Sequence, residues 1–376
     1  MHDVPVFPFH LRCAPLLVDF GGTAAAKNDK EPRRNTGIQA LRQVPIENET
    51  SRSVGDFARY GGSVSIFPWS DPWLHAAVLA VAFALDRWLG EPPVRIHPVV
   101  WMGTAIGWAR DRAPRGPVGG LVWGLGMAVL LPALAAGLLT VPVALPWIGP
   151  IYAVWLVTSC FAARGLVDAG ERLAGHAEAG ELADARTSLG WLCSRDPSGL
   201  ELTELTAAAT ESVVENASDS VVAPMVWYAL AGIPGLVVYR CVNTLDAMVG
   251  YRGKYEWLGK ASARLDDLMN LIPARLTALM LLAAGATVPG CDPARGWRVF
   301  WRDGRKTSSP NAGRPMAAAA GLLGVELSKT GHYTLGAGLA PSSAASLRTA
   351  CRISDRTMTA AIFLFVLAMV GVAAAR

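Results

Sequence analysis

Between Glu211 and Arg275 the sequence gathers carboxylates, amides and basic side chains that could hold a metal, bind phosphate and move protons. Two runs carry them: ESVVENASDSVVAP from Glu211 and NTLDAMVGYRGKYEWLGKASARLDDLMNLIPAR from Asn243. Glu204, Glu211 and Glu215 recur at intervals of seven and four, which puts them on one face of a helix over 201–216. Ser198 reads as its N-cap, with Glu201 at the N3 position of a capping box. Glu204 reads as part of a solvated face. Glu215, Asn216 and Asp219 instead crowd the entry to an apolar segment, where polar groups must be hydrogen-bonded, paired or bound to a ligand. Asn243 with Asp246, and Asp266 and Asp267 with Asn270, repeat the theme at helical spacing. Oxygen ligands of this kind suit Mg²⁺, which takes one or two carboxylates and fills its shell with water and substrate phosphates. Between the two acidic sets lie Arg252, Lys254, Lys260 and Arg264, cations able to bind phosphate. A surface ion pair between Arg264 and Asp267 is the plainer use of that pair, and it would contribute little.

The elements that must position these groups belong to an oily chain. Of its 376 residues 52% are hydrophobic and 17% charged, against about 25% charged in an average soluble domain. That composition predicts an all-α, polytopic integral membrane protein with polar helical loops. The net charge of +4 gives no reason to expect a nucleic-acid partner. Six cysteines are scattered without a CxxC pair and read as reduced, structural thiols. The stretch Gly253 to Ala261 fails as a Walker A motif, with five residues between its glycines and Ala where Ser or Thr is needed. His97, with no second His nearby, reads as structural.

Residues 1–70 lack helical or strand periodicity and read as a flexible N-terminal tail, leaving 71–376 as one membrane-embedded unit. Val118 to Val141 and Val143 to Ala163 each have the length of a spanning helix. Thr359 to Ala375 spans only with tilt or bilayer thinning. Leu74 to Leu85 and Leu276 to Val288 are short, and Val221 to Tyr239 is broken by Gly232-Ile233-Pro234-Gly235 into halves too short to cross alone. A re-entrant hairpin there competes with a crossing. If both short segments after Ser220 dip in and return, the polar stretches 90–117, 164–220, 241–275 and 291–358 share one face, as a single site requires. Arg95, Arg110, Arg112 and Arg115 against a cation-free turn at Val141 to Pro150 place that face in the cytoplasm, on a multi-pass protein of the cell membrane.

Six ordered motifs carry a resemblance: LDRWLGEPPVRIHPVVWMG, SRDPSGL, ENASDSVVAP, NTLDAMVGY, SARLDDLMNLIPARLTA and SPNAG. Together they resemble the membrane-bound adenosylcobinamide-phosphate synthases of cobalamin biosynthesis, the CobD/CbiB family, over about residues 74–375. The resemblance implies an ATP-dependent amide ligation. The corrinoid adenosylcobyric acid would be joined through its remaining propionate to the amine of aminopropanol phosphate or aminopropanol. Such a reaction normally passes through an acyl phosphate, so it needs Mg²⁺, a clamp for ATP phosphates and a pocket that excludes water. On the motif residues, Asp266 and Asp267, with Asn270, would hold the metal. Arg252, Lys254 and Arg264 would bind phosphates, with Arg195 and Asn311 beside them in the substrate-binding set. Glu215 or Asp219 would accept a proton from the attacking ammonium, and Asn216, Asn243 and Asp246 complete the catalytic set. The resemblance further implies a lipid bilayer as surroundings and association with other corrin-pathway enzymes.

Two departures from the resembled pattern stand out: Pro197 where Thr is expected after Asp196, and Arg314 and Met316 where an aromatic and a Glu are expected to flank Pro315. Arg314 could alter corrin contact. Two other function classes remain in view. An AmpE-like membrane signalling protein would make the polar block a sensor surface, and a Mg²⁺-dependent membrane transferase would use DDxxN, although NTLD is a poor second acidic cluster.

Overall fold

The computed structural model describes residues 71–375 apart from Arg252, so the flexible tail expected over 1–70 lies outside the described residues. The chain runs α1 (Pro72–Leu89), α2 (Pro98–Asp111), α3 (Pro117–Thr140), α4 (Ile148–Thr158), α5 (Ala163–Ala179), α6 (Leu182–Leu192) and α7 (Leu202–Ala217). A π-turn (Ser218–Val222) leads into α8 (Ala223–Val249), followed by α9 (Lys260–Met269), α10 (Leu271–Gly285), α11 (Pro293–Asp303) and α12 (Gly313–Leu323). Three short strands, β1 (Val325–Lys329), β2 (Tyr333–Leu335) and β3 (Ala340–Pro341), precede the long closing helix α13 (Ala344–Ala374). The body is all-α, as composition predicts. The small sheet was not foreseen, because five residues of VELSK give too short an alternation to read as a strand.

Among the described residues four stretches are long and apolar enough to cross a membrane: Pro117–Ala144, Ile148–Ala179, Leu202–Val249 and Ala344–Ala374. The bent pair α9 and α10, at 48°, would make a fifth. Val118, Val122, Leu130 and Leu138 on α3, with Phe363, Leu364 and Leu367 on α13, stand exposed in a way that suits contact with lipid rather than water. Inside, Leu156, Phe161, Leu166 and Leu173 pack against Leu205, Val213 and Leu236 in the main core. A second core joins α10, α11 and α12 to the sheet through Leu281, Phe300, Leu322 and Leu327.

The third stretch does not run straight. Ala231 (φ −137°, ψ 18°) and Gly232 (φ 62°, ψ −154°) break α8, and only a residue without Cβ takes such a φ without strain. The chain then folds back on itself. Tyr239 Oη donates to the Asp219 carbonyl at 3.4 Å, and Arg240 Nη1 donates to the same oxygen at 3.0 Å. A Cβ on Gly235 would stand 2.5 Å from the Trp227 carbonyl, so the arms touch backbone to backbone near the tip. The segment therefore forms a hairpin, which returns Asn243 to within hydrogen-bonding distance of Asp219. The chain after α10 also returns, through α11, so that Arg275 Nη1 donates to Asn311 Oδ1 at 3.2 Å.

The start of α7 differs from the expected one by three residues. Asp196 Oδ1 accepts from the Ser198 N–H at 3.0 Å and Leu200 N–H bonds back to the Pro197 carbonyl, so Ser198 is used in a turn. Glu201 is the N-cap, and Glu204 closes the capping box by accepting from the Glu201 N–H at 3.0 Å. Exposed Glu204 is therefore a helix cap rather than a bystander.

Candidate active site

The ends of the hairpin and of α9 open onto a cleft with two adjoining lobes, of about 580 and 560 Å³. Glu215, Asp219, Asp246, Tyr251 and Lys329 line both and form the wall between them. The π-turn sits at this wall. Its wider winding interrupts the α-helical register at Asp219, a local departure common at functional sites. Gly250 lets Asp246 stand where it does, since a Cβ there would meet its Oδ1 at 2.0 Å.

One amide ties the acids together. Asn243 Nδ2 donates to Asp219 Oδ2 at 3.4 Å and to Asp266 Oδ1 at 3.3 Å. Asn270 Nδ2 donates to Asp266 Oδ2 at 3.0 Å while its own Oδ1 accepts from Tyr239 Oη at 3.0 Å, so both ends of that amide are occupied. Asp267 faces the other way: its Oδ1 accepts from Ser309 Oγ at 2.9 Å, and Asn311 Nδ2 donates to its backbone carbonyl at 2.6 Å. Arg240, 1% exposed, lines the first lobe and donates to the Asp219 carbonyl, which puts a buried cation beside that residue.

The expected residues divide between the lobes. Arg195, Asn216 and Asn243 line the first; Asp266, Asp267, Asn270, Arg264 and Asn311 line the second. Asn216 is held by Ser212, to whose carbonyl it donates at 2.9 Å. Arg195 Nη1 stands 3.8 Å from Glu211 Oε2, and its Nη2 donates to the Ser328 carbonyl at 3.4 Å. Among the described residues no ion pair joins Arg264 to Asp267, so the plainer use of that pair is not realised. Lys254 does not line the cleft. It is exposed, with its ammonium 5.4 Å from the Tyr255 ring. Arg252 lies outside the described residues.

Several lining residues escaped the sequence: Arg240, Lys329, Tyr333, Ser309 and Glu211's partnership with Arg195. Arg240 had a signal, a lone cation ending an apolar run. Lys329 and Tyr333 come from the short sheet and had none. Burial raises the Tyr333 phenol, and Glu211 and Glu215 raise it further, so it remains a proton donor to the acids around it. Burial likewise pushes the Cys193 thiol up, leaving it neutral and inert. His97 is buried and stands 3.4 Å from Glu91, in keeping with a structural role. Arg314 is 4% exposed and lies over the Phe300 ring at 5.2 Å. Its neighbours Ala312 and Pro315 line the second lobe while Arg314 packs behind the wall. Its guanidinium therefore lies outside the lining where a corrin contact was expected.

What this arrangement can do is set by its donors. Half-buried carboxylate oxygens beside a water-accessible cavity suit a hard divalent cation, and the flanking Lys260, Arg264 and Lys329 suit phosphate. A family model described as CobD/Cbib protein matches residues 79–375. A cobalamin biosynthesis protein CobD from Dehalococcoides mccartyi is 43% identical over 274 residues, covering 70% of this chain and 87% of the relative. A probable cobalamin biosynthesis protein CobD from Methanothermobacter thermautotrophicus is 39% identical over 299 residues, 79% of this chain and 97% of its own. A third CobD, from Klebsiella pneumoniae, is 39% identical over 270 residues, 67% and 82% of the two chains. No solved structure matches at a significant level.

Proposed function

The chain belongs to the CobD/CbiB family, and from that premise we propose that it acts in cobalamin biosynthesis, joining adenosylcobyric acid to aminopropanol phosphate or aminopropanol by ATP-dependent amide ligation. The observation that supports this best is the shared carboxylate wall of Glu215, Asp219 and Asp246 between two lobes. A ligase of this class must hold a nucleotide on one side of the reacting carboxyl and an amine on the other.

The donor set fits Mg²⁺, with Asp266 and Asp267 to hold it and Asn270 to keep Asp266 in place. When bound, the ion would offset the charge of the nucleotide phosphates. Arg264, Lys260 and Asn311 orient phosphate oxygens in the second lobe, and Arg195 does so in the first. Glu215 or Asp219 takes a proton from the ammonium, and the amine so freed attacks the activated carboxyl carbon. Asn243 keeps Asp219 and Asp266 at fixed separation throughout. Bound substrates would have to displace the water of this open cleft before the activated carboxyl is protected from hydrolysis. The corrin's propionate arm would enter at the shared wall, where the reacting carboxyl meets both lobes. Binding at an open cleft leaves room for association with other corrin-pathway enzymes.

The cleft faces the cytoplasm in this account, because Arg110, Arg112 and Arg115 precede α3 and the turn after it lacks cations. In a background without native cysteines, cysteines at Lys254 and Thr330 should react with an impermeant maleimide from the cytoplasmic side, and one at Trp147 from the other. Protein purified in detergent or nanodiscs should form the amide with release of ADP and phosphate when given ATP, Mg²⁺, the corrin acid and the amine. ATP turnover independent of the corrin acid, or no ligation by well-folded protein, would contradict it.

A further inference from the structure

Lys329 is the one cation, among the described residues, that lines both lobes. It ends β1, and the tight turn to β2 straddles the shared wall. His332 lines the second lobe, Tyr333 lines the first, and Lys329 pairs with Tyr333 in the strand register. The turn is fixed by the bond from the His332 N–H to the Lys329 carbonyl at 2.8 Å and by Gly331 at φ 76°. Beside it the Ser328 carbonyl accepts from Arg195, which ties the hairpin to the first lobe. No ion pair occupies the Lys329 ammonium among the described residues, although Glu215, Asp219 and Asp246 line the same two lobes. An exposed lysine near enough to act on Glu211 and Glu215, yet in no salt bridge among the described residues, is placed for ligands that bring negative charge to both lobes.

We propose that Lys329 is a catalytic cation shared by two anionic subsites, a nucleoside triphosphate in the second lobe and a phosphorylated amine in the first. The proposal rests on reading the cleft as a ligase site. The assignment of lobes follows from the acids. Asp266 and Asp267 line only the second lobe, where a metal-bound polyphosphate belongs, while Arg195 lines only the first and is free of that metal set. In the first half-reaction a carboxylate oxygen of the corrin arm bonds to the terminal phosphorus, the bond from that phosphorus to the bridging oxygen breaks, and the nucleoside diphosphate leaves with the electron pair. In the second half-reaction the amine nitrogen bonds to the carboxyl carbon, phosphate leaves with the carbon–oxygen bonding pair, and the ammonium proton passes to Glu215 or Asp219. Negative charge moves across the wall in the first half and leaves from it in the second. An ammonium standing at that wall stabilises both transition states.

The test uses full-length protein in nanodiscs and reads binding before activity. Accessible lysines are labelled by reductive methylation and located by mass spectrometry, with ADP alone, aminopropanol phosphate alone, or neither. Lys329 should be protected at least threefold by each ligand separately, and Lys260 by ADP only. Protection of Lys329 by one ligand only would overturn the shared subsite, and protection by neither would identify the side chain as a solvated lysine. Lys329→Gln and Lys329→Arg then probe catalysis: both should insert at wild-type abundance and keep the wild-type helix content. The Gln form should lose about 10²–10³ in kcat, with KM for both ligands changed less than tenfold, and the Arg form should recover part of the loss. A Gln variant that ligates at wild-type rate sinks the proposal while leaving the ligase reading intact. Failure of the wild type to ligate removes that reading, whatever the labelling pattern.

Discussion

Two groups of buried carboxylates in this protein are treated in opposite ways. Asp303, at the end of α11, is 0% exposed and fully answered. Arg302 donates to both its oxygens at 2.9 and 2.7 Å, the Lys306 ammonium lies 2.6 Å away, and the Gly336 N–H donates at 2.8 Å. Burial by itself would raise this carboxyl, but those donors hold it at about 2. The cleft acids have no such company. Asp219 and Asp266 receive hydrogen bonds from the neutral amides of Asn243 and Asn270, and the buried Arg240 donates to the Asp219 backbone carbonyl. A fold that satisfies Asp303 so completely leaves Asp219 and Asp266 to neutral amides, and the proposed Mg²⁺ would supply the positive charge those amides do not.

That contrast can be broken by substitution, and the largest effect should come from the cleft. Asp267→Asn keeps shape and removes charge, while Asp267→Ala also opens a void. Both should lower ligation by at least about 10²–10³ with abundance unchanged, and raised Mg²⁺ should partly restore the Asn form. Activity unaffected by Asp267→Asn would place the metal elsewhere. Asp303→Asn should do the reverse, costing stability while turnover per folded molecule stays within severalfold. From a carboxyl held at about 2 against an ordinary 3.8, the loss at pH 7 is about 2 kcal/mol. Since the folded-state value is depressed, this contribution is complete above pH 3.8 and is lost as pH falls through about 2. Unfolding of wild type and variant, compared at neutral and acid pH, should therefore converge at the acid end.

Smaller effects sharpen the same division. Glu204→Gln should cost less than tenfold in activity, because Glu204 caps α7 at a distance from the cleft and Gln can serve in a capping box. A dead Glu204→Gln beside an active Asp267→Asn would invert the comparison. Removing residues 1–70 should leave insertion and activity nearly intact, since that segment has no apolar face to bury. Loss of folded protein on truncation would show that the tail belongs to the fold.

Most of what gathers at the cleft was legible because acids and amides at spacings of three and four share a helix face, and because Gly232 and Pro234 disrupt an apolar run so that a hairpin competes with a crossing. The sequence also carried the membrane character, through long runs such as Val118 to Val141. What it could not carry was distance between elements. Nothing local in VELSKTGHY places Lys329 beside Glu215, and nothing in GKYEWLGKA tells that Lys254 turns away while Lys260 lines the cleft. The three-residue error at the start of α7 has a local cause. Asp196 draws the Ser198 N–H into a turn, and a sequence window offering Ser198 and Glu201 as competing caps does not show which side chain the turn has already used.

The claim that the cleft acids await a cation is tested most directly by titrating Mn²⁺, as a paramagnetic stand-in for Mg²⁺, into purified protein and following free ion by electron paramagnetic resonance. Wild type and Asp303→Asn should bind Mn²⁺ alike and release it to Mg²⁺, while an Asp266→Asn, Asp267→Asn double variant of normal fold should bind at least tenfold more weakly. Equal binding by the double variant, or loss of binding confined to Asp303→Asn, would contradict the account.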